Sequence, residues 1–294
     1  MAFARYRIKI NSFCLYNTLL EHHLYPYFGT MYLDNISDEI ISKFINQKIS
    51  ENYSSAYIRS MITLLRSILK SAVQQKNISS SCIYVQAPAK KRSSPKQFTF
   101  SEWKTLESYL LEKQDSFSFG ILLCMYTGIR IGELSGLKWG DFDIETEQLS
   151  IQRTVYRIKN LNFENTVDSS KTILNIGPPK TLSSLRKIPL PSFLAEIFLE
   201  RQKCSKGFIL TGTESCMEPR TIQKKYRKCL EQCHIPYINF HSLRHSFATL
   251  GIQKGIDCKS LSEILGHSSI TTTLNTYVHS DIERKRQCME LLWS

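Results

Sequence analysis

The stretch HSLRHSFATL, residues 241–250, puts two histidines and an arginine on one side of any helix it forms. Positions i, i+3 and i+4 share a helix face, so His241, Arg244 and His245 project together. Taken alone, the cluster fits half of a zinc site, a polar helix face or a group aimed at phosphate. A zinc-peptidase helix requires glutamate directly after its first histidine as general base, and Ser242 stands there instead. The metal reading fails at that position. What the remaining two readings need must come from elsewhere in the chain.

Three other stretches supply candidates. In LGHSSITTTLNTY (265–277), Gly266 ends one helix and Ser268 or Ser269 caps the next. His267 therefore lies at a junction close to a helix N-terminus, where anions are favoured, and Tyr277 lies further along the second helix. In TGIRIGELSGLKW (127–139), Gly128 and Gly132 flank Arg130, and Glu133 stands in reach as its ion-pair partner. In PPKTLSSLRKIPL (178–190), Lys180 sits near a turn between two expected strands. Each has an ordinary structural reading: packing for His267 and Tyr277, ion pairing for Arg130, solvation for Lys180. As a set they provide two arginines, two histidines, a lysine and a tyrosine without an acidic metal cage. Planar guanidinium forks match non-bridging phosphate oxygens, so the set suits metal-free attack on a phosphodiester.

The chain has 294 residues, enough for one large domain or two of ordinary size, and 42% are hydrophobic, enough for packed cores. No run approaches a membrane span, and the start MAFARYRIKI lacks a secretory h-region, so a soluble cytoplasmic protein is expected. Lys plus Arg total 38 against 26 Asp plus Glu, a net charge of +12. Such a balance points to a polyanionic partner, nucleic acid first. Nine cysteines form no framework, and the one tight group, Cys229, Cys233 and His234, has no second ligand pair beside it. Reduced thiols and no metal are expected.

The first third reads as helices. SDEIISKFINQKI (37–49) offers Ser37 as an N-cap and Ile40, Ile41, Phe44 and Ile45 as an apolar face. SSAYIRSMITLLRSILKSAVQQ (54–75) carries a stripe of Ile58, Met61, Ile62, Leu65, Leu69 and Ala72. Arg59, Arg66 and Lys70 fall within roughly 40° of one another on a separate face, which suits either solvent or a phosphate backbone. QAPAKKRSSPKQF (86–98) has Pro, Ser and the cations Lys90, Lys91, Arg92 and Lys96 without periodicity, the character of a basic linker. Thr99 with Glu102 then forms a capping box that opens a second domain.

That gives a helical domain over 1–85, a linker over 86–98 and a second domain over 99–294. The second domain begins with helices over 101–113 and 117–128. β-rich sequence follows from about Leu137 to Leu190, with ILNIGPPKTLSSLRKIPL (173–190) reading as a hairpin. Five helices come next, and ERKRQCMELLW (283–293) is an amphipathic tail.

Arg130 in TGIRIGEL, Lys180 in PKTLSSLRKIPLP, His241 and Arg244 in HSLRHSFAT, His267 in LGHSS and Tyr277 in TTLNTY together resemble the tyrosine recombinases, the phage integrase family. LLEHHLYPYFGTMYLDNIS (19–37) is similar to the DNA-clasping helical domain of integrases from Gram-positive phages and conjugative elements. The resemblance implies a mainly α fold with a small β-sheet: an N-terminal SAM-like DNA-clasping domain and a C-terminal catalytic domain that close around duplex DNA. It implies Tyr277 as the nucleophile forming a 3′-phosphotyrosine, Arg130 and Arg244 on the phosphoryl oxygens, and His241 assisting the proton transfer from Tyr277. Lys180 would protonate the leaving 5′-oxygen, His267 would bond the phosphate or hold Tyr277, and Glu133 would brace the Arg130 turn.

The implied partners are double-stranded DNA at core recombination sites and a homotetramer across two sites, from a monomer free in solution, with accessory DNA-bending or directionality factors. No cofactor, metal or ATP is expected, because the phosphotyrosine ester conserves the bond energy. The location implied is bacterial or phage-encoded, at the nucleoid. The clasping domain begins close to Met1, so an additional arm-site domain is not expected in this chain. A remnant that only binds DNA and a type IB topoisomerase are the two rival readings.

Overall fold

A computed structural model describes residues 10–76, 96–160, 171–179, 181–202 and 206–277, with the separate positions 286, 289 and 290. The chain divides into two compact units, Met1–Ser94 with Ile158–Lys171, and Pro95–Arg157 with Thr172–Ser294.

The first unit is helical. Helix α1 (Ile10–Leu19) runs through a π-turn (Leu20–Leu24) into the single turn α2 (Tyr25–Phe28), followed by α3 (Asp38–Ser50) and α4 (Ser55–Lys76). Ser37 caps α3 by accepting from the Ile40 N–H at 3.4 Å. Phe44 on α3 and Ile58, Met61 and Ile62 on α4 are fully buried together with Leu19 and Leu24. Removing one such side chain to alanine costs about 2–5 kcal/mol. Lys48 is also buried, and its Nζ reaches Glu51 at 2.7 Å while lying 5.6 Å from the centre of the Phe44 ring.

The second unit opens with α5 (Phe100–Lys113), where Thr99 and Glu102 form the expected capping box. Helix α6 (Ser116–Thr127) is apolar nearly all round and buried along almost its whole length, as a core helix must be. The single turn α7 (Ile131–Ser135) follows. The strands are β1 (Phe142–Asp143), β2 (Gln148–Ile151), β3 (Thr154–Lys159), β4 (Thr172–Gly177) and β5 (Arg186–Pro189).

They form two small sheets, β1-β2-β5 and β3-β4. The hairpin expected over 173–190 is therefore not formed. β4 pairs with β3, and β5 runs antiparallel to β2 with Leu149 opposite Ile188 and Ile151 opposite Arg186. Burial of Leu149 and Ile188 against the core makes the long-range pairing the favourable one.

Helices α8 (Ser192–Gln202), α9 (Pro219–Gln232), α10 (His241–Gln253), α11 (Cys258–Leu265) and α12 (Ile270–Tyr277) complete the unit. Arg286, Met289 and Glu290 are helical, and the remainder of the 283–293 tail lies outside the described residues. Among the described residues no helix is long and apolar enough to cross a membrane.

Candidate active site

The site is assembled where α6, α10, α11 and α12 meet. Gly128 ends α6 in the left-handed region at φ +64, and Gly266 ends α11 at φ +65. A side chain on Gly128 would meet Leu265 and Phe247 at 2.7 Å, so only glycine lets the two helix ends come this close. Between these ends lies Arg244, 2% exposed, donating from Nη1 to the Gly128 carbonyl at 2.8 Å and from Nη2 to the Leu265 carbonyl at 2.7 Å. Burial lowers its pKa first and the nearby Arg130 next, with Glu133 opposing. An arginine so placed is still charged at neutral pH.

Arg130 sits at the N-cap of α7. Its backbone N–H and its Nη1 both donate to Glu133, at 2.9 and 2.8 Å, and its Nη2 donates to the Gly266 carbonyl at 3.2 Å. Its side chain is 35% exposed, so the guanidinium keeps an outward edge. Glu133 is buried. Desolvation works to raise its pKa, but Arg186 and then Arg130 outweigh that, and the carboxyl stays below its ordinary range.

Tyr277, the last residue of α12, is buried against Ala248, Ile252, Leu261 and Leu265 of the same unit. Burial raises the phenol pKa, while the nearby positive charges of Arg244 and then Arg130 pull it back. Two imidazoles bracket its ring. His267 lies parallel at 6.2 Å between centroids, and His245 is tilted at 5.5 Å. His245 in turn packs edge-on against His241 at 4.7 Å. His241 is exposed at the rim, yet desolvation of its ring, then His245, Arg244 and Arg130, push its pKa down to about 4. His267 is pushed to about 4 as well, by desolvation and then by Arg244, Arg130 and Arg186, and its Nδ1 pairs with the buried Thr273 hydroxyl at 2.8 Å. Ser269 is the residue that caps α12, accepting from the Thr271 N–H.

The structure thus brings five of the six expected site residues to one place, Arg130, His241, Arg244, His267 and Tyr277, with Glu133 beneath Arg130. The sixth, Lys180, lies outside the described residues. Arg186 was not anticipated. It is 6% exposed and makes a two-point ion pair with Glu133. A signal for it existed, because strand alternation places Arg186 on the same face as the buried Ile188. The arrangement presents an outward arginine edge, a buried second guanidinium, neutral imidazoles and a phenol, which can bind a tetrahedral anion and attack it.

Of the residues expected on a nucleic-acid surface, Arg59 and Arg66 are half-buried on α4 and Lys70 is exposed there. Arg66 Nε is buried without a partner. Lys96 is exposed, and Lys90, Lys91 and Arg92 lie outside the described residues.

Comparison with known proteins follows the same division of the chain. The profile described as phage integrase family matches residues 96–284, and that described as phage integrase, N-terminal SAM-like domain matches residues 3–49. A tyrosine recombinase XerC-like protein of Caldanaerobacter subterraneus is 36% identical over 189 residues, covering 58% of this chain and 47% of that one. The transposase from transposon Tn916 of Enterococcus faecalis is 29% identical over 182 residues, covering 55% of this chain and 42% of that protein. The chain therefore spans about half the length of these curated relatives. Among solved structures, the Tn1549 transposon integrase in complex with transposon right end DNA superposes with a TM-score of 0.80 at 22% identity, over 99% of this chain and 96% of that one. A lambda integrase tetramer bound to a Holliday junction gives 0.63 at 15% identity, over 94% of this chain and 74% of that one.

Proposed function

The chain belongs to the phage integrase family of tyrosine recombinases, and we propose that it cuts and rejoins duplex DNA at specific sites through a covalent 3′-phosphotyrosine, for integration or excision of a mobile element. The observation that carries this reading is Tyr277 buried against Leu265, whose carbonyl holds Arg244, with its ring parallel to that of His267 next to the Gly266 carbonyl that holds Arg130.

In this reading Arg130 and Arg244 hold the non-bridging oxygens of the scissile phosphate. The Tyr277 oxygen attacks phosphorus while its proton passes to His241, which is neutral at pH 7 in the free protein. The bond from phosphorus to the 5′-oxygen breaks, and Lys180 gives that oxygen a proton. His267, held by Thr273, lies beside both the phenol and the arginines and hydrogen-bonds the phosphate. Two guanidinium groups neutralise the developing charge, each donor being worth about 3–4 kcal/mol, so the step needs no cofactor. Rejoining runs the same steps in reverse with a 5′-hydroxyl from the second duplex.

The DNA partners are core recombination sites, with four protomers spanning two of them. Arg59, Arg66, Lys70, Lys90, Lys91, Arg92 and Lys96 supply phosphate contacts. Incubating the protein with two marked duplex sites tests the reading. Exchanged strands are expected. Relaxed supercoils without exchange would favour the topoisomerase chemistry, and binding without either product would favour a DNA-binding remnant.

A further inference from the structure

We propose that Arg186 is a positioning residue for DNA cleavage, setting the outward guanidinium of Arg130 through Glu133 and through the end of α11; this rests on the strand-transfer reading above.

The last turn of α11 carries the argument. Three consecutive carbonyls there each accept from a different arginine. Ile264 accepts from Arg186 Nε at 2.6 Å, Leu265 from Arg244 Nη2 at 2.7 Å, and Gly266 from Arg130 Nη2 at 3.2 Å. Carbonyls at a helix C-terminus have no intrahelical partner and carry the negative end of the helix dipole. They are thus the natural seat for cations, and they hold three guanidinium groups that would otherwise repel one another.

Arg186 differs from the other two. Its Nη1 donates to Glu133 Oε1 at 3.2 Å and to the Ser184 carbonyl at 3.1 Å, and its Nη2 donates to Glu133 Oε2 at 3.0 Å. Its hydrogen bonds are made to protein and its side chain is 6% exposed, so its contribution acts through other residues. Glu133 is the shared member, with Oε1 accepting from both Arg186 and Arg130 Nη1, and Oε2 from Arg186 and the Arg130 N–H. With Arg186 present the carboxylate is divided between two cations. Without it, Arg130 is left as the ion-pair partner of the buried Glu133 carboxylate, and the Ile264 carbonyl, two residues before Gly266, loses its donor. Both changes pull Arg130 off the line set by the Gly266 carbonyl. Gly266 is matched to this packing, since a Cβ there would lie 3.0 Å from Arg186 Cδ and Nη1.

The test uses Arg186→Lys and Arg186→Gln in the full chain. Lysine retains the charge beside Glu133 but has no planar fork to span both carboxylate oxygens and the Ile264 carbonyl. Single-turnover cleavage is measured on nicked suicide duplexes with either an ordinary scissile phosphodiester or a methylphosphonate, which lacks the non-bridging charge that Arg130 neutralises. Thermal unfolding and DNA affinity are recorded alongside, and if the glutamine variant does not fold, the lysine variant carries the test.

Both variants are expected to bind DNA like the parent and to cleave the phosphodiester about 100-fold more slowly, the scale of a small misplacement of a reacting group. On the methylphosphonate most of that deficit should disappear. Cleavage by Arg186→Lys at the parent rate, or an equal deficit on both substrates, would overturn the proposal. Absence of any adduct with the parent protein is a different failure: it removes the strand-transfer reading and this inference with it.

Discussion

The imidazole of His267 and the phenol of Tyr277 lie in parallel planes, inclined by 6° with centroids 6.2 Å apart, and His267 is held in that plane by Thr273 through a 2.8 Å hydrogen bond. Thr273 is fully buried one helical turn before Tyr277, so a single helix carries both the candidate nucleophile and the residue that orients its neighbour. Thr273→Val keeps the shape and removes the hydrogen bond, worth about 1 kcal/mol. Cleavage should slow by roughly five- to tenfold, with DNA affinity unchanged, in a single-turnover assay. An unchanged rate would mean that His267 is not oriented through this bond.

Two glycines with positive φ separate strain from crowding. Gly128→Ala forces a Cβ to 2.7 Å from both Leu265 and Phe247 beside the carbonyl that holds Arg244, whereas Gly255, at φ +90, has nothing within 4 Å. Both substitutions incur a left-handed backbone cost of about 1 kcal/mol or more. Gly128→Ala adds overpacking of about 1–3 kcal/mol. Denaturant unfolding should place Gly128→Ala clearly below Gly255→Ala, and only the former should lose cleavage activity. Equal effects would contradict the close approach of the two helix ends.

Stability should depend on pH through His241 and His267. Both fold with pKa values pushed down to about 4, first by desolvation and then by neighbouring positive or ionisable groups, and both return to about 6.5 when unfolded. Between these values the unfolded chain binds more protons, so stability is complete above pH 6.5 and falls as the pH is lowered toward 4. Glu133, whose folded pKa is also lowered, adds a loss in the same direction below its own ordinary range. Urea midpoints at pH 7.5 and 5 should differ, and the double variant His241→Gln, His267→Gln should narrow the difference. The same drop in the double variant would assign it to other groups.

Much of this site was readable in the residues themselves. The i, i+3, i+4 spacing in HSLRHSFATL placed His241, Arg244 and His245 together, and the His241 and His245 rings do touch. Gly128, Gly266, Ser37 and the Thr99–Glu102 box are local signals decided by backbone conformation and capping, and each acts as its chemistry dictates. What local reading lost was long-range. The turn-like GPPK suggested β4 against β5, but burial of Leu149 on Ile188 decided β5 against β2. Arg186 escaped notice because an arginine beside Lys187 looks solvated, and its partners Glu133 and Ile264 lie 53 and 78 residues away.

The basic face of α4 makes its own prediction. Each phosphate contact removed should lower the slope of log affinity against log salt by about 0.9. Lys70→Ala and Arg59→Ala, assayed across 50–250 mM salt, should each flatten the line by about that amount. An unaltered slope for both would take α4 off the DNA surface.

The most direct measurement concerns Tyr277 itself. Purified protein is incubated with a nicked suicide duplex, and a covalent protein–DNA adduct is resolved under denaturing conditions, for the parent and for Tyr277→Phe. Phenylalanine keeps the ring packed against Leu261 and Leu265 and removes only the oxygen. An adduct is expected with the parent and none with Tyr277→Phe, with DNA binding retained in both. An adduct that persists in Tyr277→Phe would contradict the assignment of Tyr277 as the nucleophile.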